Sequence, residues 1–132
     1  MIYDVQDVGV RFYTNINTLR DVMESCAEFK KELIILDRPN PNGYLMDGPI
    51  LDMSLASGIG QFPVPIAHGM TIAEFAQMIN GEGWMANKAV CPLKIVKGPQ
   101  LSPRYGVCFA RQTFAEFKYS AKRDALPFDL FV

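Results

Sequence analysis

"ELIILDRPNPNGYLMDGP", residues 32–49, decides how this chain is read. The run Leu33–Leu36 does not alternate apolar with polar residues, which is the pattern of a strand buried on both faces of a parallel sheet. It ends in Asp37 and Arg38 and passes into a stiff segment of prolines, asparagines and glycines that reaches Pro49. Open α/β sheets bind ligands beyond the carboxyl ends of their strands, so a carboxylate and a guanidinium delivered there mark a candidate site rim. The plainer reading of the two is an ion pair that holds the loop. Asn40 and Asn42 flank prolines, where Asx-turns form, and turn-making is the default role of Asn42.

Upstream, residues 2–8 read as a short strand ending near "QDVG". "NINTLRDVMESCAEFKKE" follows, with Leu19, Val22, Met23, Cys26 and Phe29 at helical spacing. This predicts a helix over residues 18–31, with Thr18 as N-cap and Asp21 favouring its first turn. Strand, helix and strand joined by short links make a βαβ unit. Downstream, residues 38–69 lack periodicity and hold five prolines and five glycines. Their apolar content argues for an ordered wrap across one end of the sheet. Thr71 and Glu74 have capping-box spacing and open a helix over 71–80, with Gly81 placed for a left-handed C-cap. Trp84 reads as packing at that helix end. "AVCPLKIV" (89–96) is a further strand, demoted toward an edge by Pro92. "TFAEFKYSAKRD" (113–124) carries a weaker helical pattern through Phe114, Phe117 and Ala121.

Composition narrows the class. A chain of 132 residues, 49% apolar and 20% charged, has the make-up of one globular domain. Thirteen basic and 14 acidic residues give a net charge of −1, so no basic excess points to nucleic acid or a membrane surface. Three cysteines without metal-site spacing read as reduced, buried thiols. No apolar run is long enough for a membrane span, and no signal-peptide pattern opens the sequence. Taken as given, the chain is expected in the cytoplasm. G-x-G-x-x-G, P-loop, G-x-S-x-G and H-E-x-x-H motifs are absent, and no cofactor or metal is expected.

Adjacent parallel strands would set "YDVQDVGVRFYTN" beside "DRPNPNGYLMDGP". Together these offer Asp7, Arg11, Tyr13, Asn15, Asp37, Arg38 and Asn40. Hydroxyl, amide, carboxylate and guanidinium groups around an aromatic suit a sugar with an acidic substituent. Tyr13 also reads as a half-buried aromatic, and Glu74 as a helix cap rather than a catalyst. His68, the one histidine, precedes a helix N-terminus, which disfavours its charged form and points a neutral imidazole toward the loops.

Three blocks extend this reading. "YDVQDVGVRFYTNINTL", "LIILDRPNPNGYLMDGPILD" and "FPVPIAHGMTIAEFAQMINGEG" resemble, in order and spacing, the NamZ-type exo-β-N-acetylmuramidases, a bacterial family long described as a domain of unknown function. The resemblance implies an α/β fold: part of a Rossmann-like, mainly parallel sheet with flanking helices and a long ordered loop. It covers residues 1–97 as a fragment of the catalytic domain and leaves 98–132 as an unassigned tail. It implies release of terminal N-acetylmuramic acid from peptidoglycan fragments, with N-acetylmuramic-acid-containing saccharides as partners. Carried over by position, Asp7, Asp37 and His68 become catalytic candidates, and Arg11, Tyr13, Arg38 and Asn40 substrate-binding ones. Family members carry an upstream block of G-P-E-H-G type whose glutamate is the acid, and this block is expected to lie outside the chain. Relatives are commonly exported. Glycosidases use two carboxyl groups flanking the bond, so the expectation is impaired or absent turnover, with self-association. A non-catalytic sugar-binding or interaction remnant is the alternative.

Overall fold

The computed structural model describes residues 1–98. Its main sheet has three parallel strands, β1 (Ile2–Tyr3), β2 (Leu33–Asp37) and β5 (Leu93–Lys97), in the order β1-β2-β5. Helix α1 (Asn15–Glu28) links β1 to β2, and α2 (Ile72–Glu82) lies between β2 and β5. The fold is therefore α/β, built from two consecutive crossovers. Both crossovers step in the same direction across the sheet, and right-handed connections then put both helices on one face. The helices touch each other there.

That geometry corrects the expectation for β2. Leu33 and Ile35 are fully buried beneath the helices, whereas Ile34 and Leu36 on the other face are only partly covered. The core joins Ile16, Leu19 and Met23 of α1 to Phe75, Ala76 and Ile79 of α2. Phe62 and Val64 from the long wrap complete it, with Phe62 edge-on to Phe75 at 5.1 Å and tilted against Trp84 at 5.3 Å.

Helix α2 follows its sequence signal closely. Thr71 Oγ1 accepts from the Glu74 amide and Glu74 Oε2 accepts from the Thr71 amide, closing the capping box. The left-handed C-cap falls at Gly83 (φ +66) rather than Gly81, which stays helical. Helix α1 departs more. It starts a turn early, with Thr14 as N-cap, because Ile16 is needed in the core. Thr18 is thus inside the helix, donating back to the Thr14 carbonyl, and Asp21 pairs with Arg20 on the surface. The helix ends at Glu28, which leaves Phe29 outside the stripe and 69% exposed.

Strand β1 is also shorter than the predicted 2–8. Beyond Tyr3 side chains replace the ladder: Asn15 donates to the Gln6 carbonyl, and Gln6 donates to those of Asp7 and Pro39. The wrap is ordered, as expected. Within it β3 (Met46–Asp47) pairs antiparallel with β4 (Ala67–His68), and Met53–Leu55 form a single 3-10 turn. No helix among the described residues is long and apolar enough to cross a membrane. The reading of 113–124 as a helix lies outside the described residues.

Candidate functional site

Asp7 and Asn40 from the loops after β1 and β2, and His68 from β4, meet in the interior, 3%, 3% and 0% exposed. The backbone amide of Gly9 donates to Asp7 Oδ2 at 2.9 Å. Gly9 adopts φ +73, and a Cβ added there would overlap the side-chain amide of Asn40, so glycine is required twice over. From Gly9 onward the loop lies antiparallel to β4. His68 N donates to the Gly9 carbonyl at 3.2 Å, and Arg11 N donates to that of Ile66 at 2.8 Å.

Asn40 ties the loop after β2 into the same unit. Its Nδ2 donates to the Met70 carbonyl at 2.9 Å, and its Oδ1 accepts from the Asn42 amide at 2.8 Å, an Asx-turn. Asn42 does more than turn the chain, because its Nδ2 reaches across to the Val8 carbonyl at 2.8 Å. His68 Nδ1 accepts from the Met70 amide at 3.3 Å, and Nε2 faces Asp7 Oδ2 at 3.3 Å, off the line of a good hydrogen bond. Asp7 Oδ1 is buried with no donor among the described residues.

The other expected residues are placed differently. Asp37 points to the start of α2, where Oδ2 accepts from Thr71 Oγ1 and Oδ1 from the Ala73 amide, both at 3.1 Å. A carboxylate there satisfies orphaned amides and complements the helix dipole. Arg38 does not pair with its neighbour Asp37 but with Asp4, and both side chains are about half exposed. Arg11 donates through Nη1 to the carbonyls of Pro49 and Val64, clamping the wrap. Partial burial draws its guanidinium below the ordinary value. Tyr13 stands beside Phe12 at the tip of the first loop, centroids 6.2 Å apart, each 53% exposed. Arg11, Asp37, Arg38 and His68 therefore each bind separate partners and share none.

Tyr3 lies beneath this region, its hydroxyl donating to the Asn15 carbonyl at 2.9 Å. Burial, with a smaller contribution from the Asp7 charge, pushes its phenol up to about 12. Burial likewise pushes the Cys91 thiol up to about 11, with the neighbouring Cys26 adding to it. Among the described residues no group of three His, Cys, Asp or Glu side chains is arranged to hold a metal.

The sequence profile of the family described as "Exo-beta-N-acetylmuramidase NamZ, N-terminal" matches residues 1–113. The chain belongs to this family. It is 47% identical over 83 residues to the peptidoglycan beta-N-acetylmuramidase NamZ of Bacillus subtilis (strain 168), covering 62% of this chain and 20% of that relative. Two solved DUF1343 family proteins of Bacteroides fragilis are similar in structure. One has TM-score 0.71 and 50% identity, covering 72% of this chain and 27% of its own. The other has TM-score 0.66 and 40% identity, covering 71% and 24%. The chain thus spans a quarter or less of the NamZ and DUF1343 relatives' length, apart from the slightly larger share of the first structure.

Sequence reasoning missed Asp4, Gln6 and Gly9. Asp4 stands in "YDVQDVG", where its acid could have been weighed as a partner for Arg38. Gly9 in the same stretch carried the usual glycine signal for a left-handed turn.

Proposed function

We propose that this chain supplies part of the saccharide site of an exo-β-N-acetylmuramidase acting on peptidoglycan fragments, and that alone it has little or no turnover. One observation carries the reading: the family's loop blocks meet at the carboxyl ends of parallel strands, where α/β folds bind ligands. In it, Arg38 takes the carboxylate of the sugar's acidic substituent, and Tyr13 stacks on the pyranose ring. Arg11 acts by holding the wrap in place.

A non-catalytic sugar-binding role is the second reading, favoured by a specific feature. Both carboxylates first considered for catalysis are engaged inward, Asp7 in the interior and Asp37 on the start of α2. Neither is poised to donate a proton to a leaving oxygen, and losing a matched general acid costs roughly 10²–10⁴-fold. Hydrolysis of a chromogenic N-acetylmuramide, run beside calorimetric titration with N-acetylmuramic acid, separates the readings. Binding without turnover is expected. Turnover comparable to a full-length relative would overturn the impairment, and absence of binding would overturn both. Self-association belongs to the same proposal, supported by the exposed Ile2, Val5 and Val96 beside the outer strands. Sedimentation equilibrium tests it, and a monomer at all concentrations would refute it.

A further inference from the structure

We infer that Asp7 and Asn40 are positioning residues that hold His68 as a neutral imidazole with its proton on Nε2. The inference concerns residues of the unliganded chain and stands whether or not the saccharide reading does. Its first ground is directional. The Met70 amide can only donate, so Nδ1 must present its lone pair, and the ring proton is left for Nε2. Nε2 is the atom that faces Asp7 Oδ2, and that oxygen is itself anchored by the Gly9 amide.

The second ground is confinement. His68 has no exposed surface, and its ring stands edge-on to Phe75 with centroids 5.1 Å apart. Its backbone is held by the Gly9 carbonyl and by pairing of β4 with β3. Asn40 fixes the remaining freedom, because its Nδ2 grips the carbonyl of the same Met70 whose amide reaches Nδ1. A side chain with 0% exposure cannot itself touch a saccharide in this state. It acts through the loops it joins: the loop after β1, the loop after β2 and the turn into α2. Asp7 Oδ1 is buried without a donor among the described residues, so the Gly9 amide alone anchors the carboxylate, through the same Oδ2 that faces Nε2.

The chain contains one histidine, so nitrogen-15 NMR of the whole 132-residue protein shows a single imidazole. The expected spectrum at neutral pH has a protonated Nε2, a bare Nδ1 and a through-bond coupling from the Met70 amide nitrogen to Nδ1. A proton on Nδ1, a doubly protonated ring, or fast averaging of the two tautomers would overturn the inference. Asp7→Ala supplies the second arm: it removes the oxygen that faces Nε2, so the Nε2 proton is expected to exchange faster with solvent and the ring to begin averaging its two tautomers. A folded Asp7→Ala protein whose tautomer and Nε2 proton exchange match the wild type would refute the role of Asp7. In Asn40→Ala, hydrogen exchange at the Met70 amide is expected to rise by about tenfold or more. Unchanged exchange would remove Asn40 from the assignment. The wild-type spectrum decides the tautomer even where a variant fails to fold.

Discussion

The interior unit of Asp7, Asn40 and His68 and the outer rim of Asp4, Arg38, Phe12 and Tyr13 each hold one aspartate of the same short stretch, residues 4–7. They differ in solvent. Inside, side chains tie together distant stretches of chain: Asn40 holds the Met70 carbonyl, Asn42 the Val8 carbonyl, and His68 Nε2 faces Asp7. Outside, the Arg38–Asp4 pair is open to water and the aromatic pair is half exposed. A buried donor left unpaired costs its full desolvation, whereas an exposed ion pair is screened and worth little. The interior therefore organises the loops, and the rim is what a ligand can meet.

Substitutions in the interior should break the comparison most strongly. Asp7→Ala removes the acceptor of the Gly9 amide and leaves buried Nε2–H alone, so a loss of about 2–4 kcal/mol is expected in urea unfolding. Gly9→Ala should fall in the same range of about 2–4 kcal/mol, through its positive φ and its overlap with Asn40. If either variant is as stable as the parent, the interior unit is not what holds the loops.

Alkaline pH probes the boundary beneath the site. Tyr3 keeps its proton to about pH 12 when folded, against an ordinary 10.0. The folded state therefore holds this proton more tightly, and its contribution is fully present below pH 10. It should fall by about 2 kcal/mol as pH rises from 10 to 12. Tyr3→Phe should flatten that decline in pH-dependent unfolding, at the cost of the bond to the Asn15 carbonyl. An unchanged slope would show that the phenol is not the titrating group.

Asp37 lies between the two regions. Its loss should uncap α2 and cost about 1 kcal/mol, readable as a lower unfolding midpoint, while the Thr71–Glu74 box still holds the helix start.

The rim should yield the smallest stability changes and the clearest ligand effects. Arg38→Ala is expected to change stability by less than about 0.5 kcal/mol yet weaken binding of N-acetylmuramic acid. Asp4→Asn frees the guanidinium from its internal carboxylate and should tighten that binding. Equal affinity in both variants and the parent, measured by calorimetry, would take Arg38 out of the saccharide site.

Much of this was visible in the residues, unevenly. Helix α2 could be read almost to its ends because the capping box is a local exchange between Thr71 and Glu74. The start of α1 could not, because Thr18 has as good a capping side chain as Thr14, and only burial of Ile16 selects the earlier turn. The end of β1 was equally hidden, since its ladder is replaced by side chains of Gln6 and Asn15. For the site, the residue types were legible but their roles were not. Asp37 and Arg38 are neighbours in sequence, yet one is drawn to a helix start and the other to Asp4.

The sequence by itself determined the βαβ order, the parallel pairing of "LIIL" with its neighbours, the capped second helix and the NamZ family blocks. These depend on periodicity, chain connectivity and contacts a few residues apart. Only the tertiary structure decided which polar groups left water. Burial of Asp7 beside His68, and of Asn40 against Gly9 and Met70, is the sum of packing by loops that are distant along the chain. No local pattern encodes that sum, so an aspartate bound for the interior and one bound for the rim, Asp7 and Asp4, look alike until the chain is folded.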